Sequence, residues 1–313
     1  MMTTQQIYDL AIKMGRNADP RGEKKIKEIM RRRKERFEKM SAEEKKYYNK
    51  EKLNNPYPDS IIFVGSPDKK IKKVLAGIDI DTAEILLADK LGVVDLIISH
   101  HPIWPNVPEV MDMQVDYLDQ CGVPINIAEW LTQERSKEIE RLTKPINHLR
   151  TIDNVKLLGM SLIAPHTPMD ILAADFIDKI IKKKKARYVS EIMDILMEIP
   201  EYQIAKKEDF GPSLFTGQKD NRTGKIVFGF FGGTSPSVKI YEKMSQAGIG
   251  TIIDMHIHEE DRKEAEKYHI NIVVAGHYAS DSLGTNLFLD ELEKKGIEVI
   301  PCSGLIRAKR FKK

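Results

Sequence analysis

His100 and His101 close a short apolar run, Val-Val-Asp-Leu-Ile-Ile at residues 93–98 and then Ser99, and Pro102 follows them directly. A run this short and rich in β-branched residues reads as a strand buried on both faces. Pro102 lacks the N–H a sheet ladder needs and pushes the preceding residue away from helical backbone, so the strand should end near His100. Both imidazoles then stand at a strand's carboxyl end, where open α/β sheets bind ligands. Neighbours on a regular strand point to opposite faces. The two rings share a site only if the chain turns there, or if the site is wide enough for two metal ions.

The arrangement recurs along the chain. Asp79 and Asp81 end the run 73–80, His256 and His258 follow 251–255, and His277 follows 270–275. Asp281 lies four residues beyond His277, on the same face of any helix that starts there. His166 and Asp170 flank a turn after the run 157–163. In a parallel sheet such ends converge on one edge. Imidazoles and carboxylates without thiolate suit zinc, iron, manganese or nickel, and two ions with a bridging carboxylate would account for so many ligands. Spacing alone leaves open which of these residues ligate. The turn Gly-Gly-Thr-Ser-Pro-Ser at 232–237, between a strand at 226–231 and a helix over 238–247, either holds an anion on free N–H groups or simply connects two elements.

These positions need a frame. A short amphipathic helix capped by Thr3 or Thr4 and ending at Gly15 opens the chain. A basic segment follows in which Ile26, Ile29, Met30, Phe37 and Met40 recur at helical spacing, and Ser41 with Glu44 forms a capping box. Strands at 60–64 and 73–80, a helix at 82–91 closed by Gly92, and the strand before His100 make a βαβ unit. Its right-handed crossover sets Asp79 and His100 at one edge. Further on, the pattern predicts a helix over 110–120, a strand over 122–127, a helix over 133–142, the strand 157–163, and a helix from Asp170 to the lysines at 182–185. The second half reads as a helix at 190–197, an irregular stretch at 200–225, the strands 226–231, 251–255 and 270–275 with helices between them, a helix to Lys295, a strand at 298–301 and a mobile basic tail from Arg307. Three units are expected: 1–59, with the inserted basic segment; 60–185, a first α/β lobe; and 186–313, a second one, whose last strand returns to the first.

Composition bounds the classes. The 313 residues, 41% hydrophobic and 31% charged, suit a globular protein with a heavily charged surface, and a net charge of +3 does not diagnose nucleic-acid binding. Residues 21–52 nevertheless carry 14 Lys and Arg against 7 Glu. Interleaved glutamates and few aromatics make that stretch a solvated helix rather than a nucleic-acid contact. Two cysteines, Cys121 and Cys302, read as thiols of a reducing cytoplasm. The start, with Asp9 and Lys13, lacks the apolar core of a cleavable signal, and no apolar run approaches the roughly 18 residues a membrane span needs.

Three segments carry a resemblance. Leu-Ile-Ile-Ser-His-His-Pro at 96–102, His-Thr-Pro-Met-Asp at 166–170 and Ala-Gly-His-Tyr-Ala-Ser-Asp at 275–281 resemble the signature segments of the NIF-three-like family, also called type two homologues of GTP cyclohydrolase one. The resemblance extends from about Ile61 to the last strand. It implies a two-lobed α/β fold with mixed, largely parallel sheets, two divalent metal ions between the lobes, and a homohexamer. Position by position it implies His100, His101, Asp170 and His277 as metal ligands. Asp281 stands where the family has a bridging glutamate, one methylene longer, and the segment 21–53 stands as an insertion. His166 is then a group beside the ligands or facing substrate, and His166 or His256 would handle a proton. Asp79 is read as a helix cap or a support of the site. The function implied is a cytoplasmic metal-dependent hydrolase acting on a phosphoester, nucleotide or cyclic amide; the alternatives are a non-catalytic metal-binding interaction protein and a cyclohydrolase-like activity.

Overall fold

The computed structural model describes residues 1–103 and 107–311. Trp104, at the end of the first histidine segment, and the last two lysines of the tail lie outside them. Eleven strands are present among the described residues: β1 (Met2–Thr3), β2 (Ile61–Val64), β3 (Lys70–Ile71), β4 (Lys73–Gly77), β5 (Leu96–Ser99), β6 (Leu162–Ala164), β7 (Ser213–Thr216), β8 (Lys225–Phe228), β9 (Ile249–Asp254), β10 (Asn271–Val274) and β11 (Glu298–Cys302). They form a five-stranded sheet in the order β11-β4-β5-β6-β2 and a four-stranded sheet in the order β7-β10-β9-β8, while β1 and β3 pair as a short ribbon. Each large sheet is parallel apart from one antiparallel edge strand, β2 on β6 and β7 on β10. The fold is thus mixed α/β with mostly parallel sheets.

Parallel strands covered on both faces should be apolar throughout. All four residues of β5 are buried, and Val74, Leu75 and Ala76 of β4 are fully so. The helix Thr82–Leu91 between them is capped by Asp81 with Glu84 and closed by Gly92 in left-handed backbone. This is the expected βαβ unit, and it delivers Asp79 and His100 to one edge.

Two long helices set the rest of the site. His166–Lys184 and His277–Lys294 pack against each other, burying Met169, Leu172 and Ile177 on one and Leu283, Phe288 and Leu289 on the other. Their backbones come so close at Gly284 that a Cβ there would lie 2.0 Å from the Met169 carbonyl oxygen. Only glycine permits that crossing, which brings Asp170 and Asp281 side by side. The first of these helices starts four residues earlier than expected. Pro168 falls in its first turn, where no N–H is needed for the helix ladder, so the proline does not delay it.

Other elements also differ from the sequence reading. No strand forms at 122–127. Val123 N–H closes the preceding helix on Leu118 O and Pro124 has no N–H, so the stretch lacks ladder donors and the helix Ile125–Thr143 begins at once. Residues 149–157 are helical, and only Leu162–Ala164 of the expected strand is extended, because Gly159 in left-handed backbone and Met160 N–H on Val155 O end a helix there. The stretch 200–225 contains the helix Pro200–Lys207, with proline at its first position, and β7. The expected helix 238–247 is a 3₁₀ turn, Val238–Ile240, followed by the short helix Tyr241–Gln246.

The basic segment forms the helix Gly22–Lys39, then Ala42–Tyr47 behind its Ser41–Glu44 capping box. Its anchor is ionic as well as apolar. Ile26 is buried, Arg21 pairs with Asp19 at 2.8 Å, and Lys25 reaches Asp116 at 3.0 Å. The tail is tied down rather than mobile over its described residues. Arg310 meets Glu201, which has no exposed surface, at 2.6 Å, and Arg307 pairs with Asp290 and Glu293. A single buried carboxylate such as Glu201 is invisible to any periodicity argument.

Candidate metal centre

The five residues expected as ligands come together, and His166 joins them. His100 and His101 follow β5, Asp170 and His166 lie one turn apart on the helix His166–Lys184, and His277 and Asp281 lie one turn apart at the start of His277–Lys294. Three groups each place their ligand atoms within 4.8 Å of one another: His100 with Asp170 and Asp281, His101 with His277 and Asp281, and His100 with His101 and His166. Asp281 belongs to two of them. Its Oδ1 lies 3.3 Å from His100 Nε2, and its Oδ2 lies 3.5 Å from His101 Nε2 and 3.8 Å from His277 Nε2.

Three of the histidines present the same nitrogen inward. His101 Nδ1 lies 2.7 Å from Asp79 Oδ1, His166 Nδ1 lies 2.6 Å from Asp59 Oδ2, and His100 Nδ1 lies 3.4 Å from Thr285 Oγ1. Each Nε2 faces a carboxylate. Metal-bound histidines are held in this way, with an outer acceptor fixing the tautomer and the ring.

The donor set fits a metal ion on a separate observation. His100 Nε2, Asp170 Oδ1 and both carboxylate oxygens of Asp281 are buried, yet none makes a hydrogen bond. An unsatisfied buried polar atom costs about 1–3 kcal/mol, more when charged. A bound cation would satisfy four such atoms clustered among imidazoles. Without one, a proton does part of that work: burial opposes charge on His100, but Asp281 and Asp170 hold its pKa up at about 10. Burial likewise opposes charge on Asp281, and His100, His277 and His101 outweigh it, bringing the carboxyl down to about 2. His101 is pushed below the ordinary imidazole value by burial and by His100. For His166 burial works downward, and Asp170 and Asp59 reverse it.

No protein-family model matches the chain, and among curated proteins none does. A solved structure does: a NIF3 superfamily protein from Sphaerobacter thermophilus is 28% identical, with a TM-score of 0.75 over 97% of this chain and 99% of that one. The chain shares the fold of that protein. Reduced HcgD from Methanocaldococcus jannaschii, 16% identical with a TM-score of 0.51 over 78% of this chain and 88% of that one, shares the fold.

The cluster opens into a cavity of about 240 Å³, whose wall includes His101, His166, Asp170, His256 and His277. His256 is outside the three ligand groups. Its ring lies 5.0 Å from that of His277, and burial, then the charges of His277 and His258, lower its pKa. His258 lines a neighbouring cavity of about 500 Å³ with Arg135, Lys239 and Asp261. Sequence reasoning missed Asp59 and Thr285, which hold His166 and His100; of the two roles it offered for Asp79, support of the site is the one the structure shows. Asp81 caps the helix; Asp79 holds His101. Asp59 follows two proline-punctuated residues in a loop, and nothing in its local sequence separates it from a turn aspartate.

Proposed function

We propose that this protein is a dinuclear metal-dependent hydrolase acting on a phosphoester or nucleotide, with a cyclic amide as the alternative substrate class. The observation that carries the reading is the position of Asp281. Its two oxygens face different histidines, so one ion would lie with His100, Asp170 and Oδ1, and a second with His101, His277 and Oδ2. His166, grouped with His100 and His101 and held from behind by Asp59, would be a further ligand. His256, on the cavity wall, is left as the residue positioned to take or give a proton.

Bound divalent ions would lower the pKa of a coordinated water towards neutrality and polarise a phosphoryl or carbonyl oxygen. The chain's own part is to aim the imidazoles, through Asp79, Asp59 and Thr285. The ligands come from elements that flank both sheets, β5 on one side and β10 on the other, which supports a site between two lobes at 60–185 and 186–313. The cavity beside the half-exposed His277 supports an open site rather than a closed structural one. A hexamer in the cytoplasm completes the reading, and gel filtration tests the assembly.

The experiment is metal content by inductively coupled plasma mass spectrometry on protein purified without a chelating tag, for wild type and His101→Ala, followed by hydrolysis of phosphomonoesters, phosphodiesters, nucleotides and GTP. About two ions per chain, fewer in the variant, with metal-dependent turnover is the expected result. Ions without turnover on any substrate would favour the metal-binding interaction protein, and no uptake of zinc, manganese or iron would overturn the metal reading.

A further inference from the structure

The loop after β8 faces the metal cavity with hydrogen-bond donors that nothing uses. Gly233, Thr234 and Ser235 line that cavity. Within the described residues the backbone N–H groups of Gly232, Gly233, Thr234 and Ser235 donate no hydrogen bond. Two carbonyls of the loop, Phe231 O and Thr234 O, are fixed instead. Gln114 Nε2 donates to Phe231 O at 2.9 Å and to Thr234 O at 2.6 Å. A trans peptide points its C=O and N–H in opposite directions, so the N–H groups of Gly232 and Ser235 point away from Gln114. Gln114 lines a neighbouring cavity together with Phe231 and Pro236. Gln114 is not among the residues that line the metal cavity, whereas Ser235 is.

The backbone there is built for this. Gly232 and Gly233 have φ of +95° and +65°, and a Cβ on Gly233 would sit 3.7 Å from His166 Cε1, at the cavity wall. Consecutive N–H groups around such left-handed residues form a concave nest for an anion. The short helix that follows adds nothing to it, so the loop itself is the site. Carboxylates on the same wall are engaged elsewhere. Asp59 holds His166 and Thr167, Asp170 faces His100 and His166, and Asp254 accepts from Met255 N–H. No lysine or arginine lines the cavity among the described residues.

We propose that the loop 232–235 grips a phosphoryl group of the substrate, its N–H groups binding oxygens that point away from the metal cluster. This rests on the hydrolase reading and narrows it: the substrate is a phosphoester with at least two free phosphoryl oxygens, not a cyclic amide. Gln114 is a positioning residue in this scheme, because its amide bonds the loop and it does not line the metal cavity.

The probe is inorganic phosphate, and the readout is amide chemical shift by two-dimensional NMR on zinc-loaded wild type, with dissociation constants by calorimetry and zinc content measured in parallel. Phosphate should move the amide protons of Gly232, Gly233, Thr234 and Ser235 downfield. Gln114→Leu and Gly233→Ala should bind it at least tenfold more weakly with unchanged zinc content. Phosphate binding that leaves the four amides unmoved and the variants as tight as wild type would overturn the proposal, placing the anion on the metals alone. So would the absence of phosphate binding by protein with full zinc, a result that leaves the metal centre intact. If the chain holds no zinc yet phosphate still moves the four amides, the loop stands and the hydrolase reading falls. The wild-type spectra decide the matter even where a variant fails to fold.

Discussion

Asp59 Oδ2 and His166 Nδ1 lie 2.6 Å apart across 107 positions of chain, and Thr167 Oγ1 donates to the same oxygen at 2.7 Å. A buried carboxylate is thereby anchored from both sides and in turn fixes the imidazole that faces Asp170. Burial alone would raise the Asp59 pKa, but the bonds from His166 and Thr167 bring it below the usual carboxylate range. Loss of such an outer partner weakens a metal site by roughly 10–100-fold. Asp59→Ala is therefore expected to lose metal affinity by about that factor, read by competition with a chromogenic chelator, while its circular dichroism spectrum stays that of wild type. Asp59→Asn, which keeps an acceptor oxygen, should lose less.

The pH dependence of metal uptake follows from His100. In metal-free protein its pKa stands at about 10, above the ordinary 6.5, owing to Asp281 and Asp170 acting against burial. Such a raised imidazole stabilises the fold fully below about pH 6.5, and that contribution fades as pH climbs through 10. A ligand nitrogen must be neutral, so binding expels this proton. Metal affinity should rise roughly tenfold per pH unit between 7 and 9 for each proton released. Calorimetry in two buffers of different ionisation enthalpy should show about one proton or more released per chain. Metal-free protein should melt at lower temperature at pH 10 than at pH 7, and identical melting at both would contradict this account of His100.

Much of this arrangement was legible, and the reason is local. The apolar run before His100 with Pro102 behind it specifies a buried strand and its end without outside help, and His277 and Asp281 share a helical face whatever packs against it. The elements that misled were those settled at a distance. Val123 and Pro124 look like a strand until the helix end at Leu118 takes the only free N–H. Pro200 looks like a breaker, yet at a first helical position it costs nothing. Asp59, Thr285 and Glu201 act through partners far off in sequence, and a single sequence carries no mark of such pairing.

The tail makes a testable case of that kind. Arg310 closes on the fully buried Glu201, Ile306 N–H donates to Ser282 Oγ at 3.0 Å, and Asn286 Nδ2 donates to Ile306 O at 2.7 Å. All but Glu201 bind the tail to the helix that carries His277 and Asp281. Removing one partner of a buried pair strands the other charge, at a cost of about 3 kcal/mol. Arg310→Ala should lower stability by about that amount in urea titration. The double variant Glu201→Gln with Arg310→Met, which removes both charges and leaves an acceptor for Asn286, should recover most of it. Equal losses in the single and double variants would show that packing of the arginine over Phe176, not charge, holds the tail.

Whether Asp281 bridges two ions can be told from how many ions each substitution removes. His277 belongs to one ligand group, whereas Asp281 belongs to two. If the groups bind separate ions, His277→Ala should lower metal content by about one per chain and leave the ion at His100 and Asp170 in place. Asp281→Asn should remove more. It withdraws the charge that His100, His101 and His277 all face, and it sets an amide against one of the imidazoles, so content should fall below one ion per chain. Metal analysis of the two variants, each checked for a wild-type circular dichroism spectrum, measures this directly. Equal losses of a single ion in both would mean that Asp281 serves one ion only, and the second set of imidazoles would then have to be read as a proton-handling group rather than a ligand set.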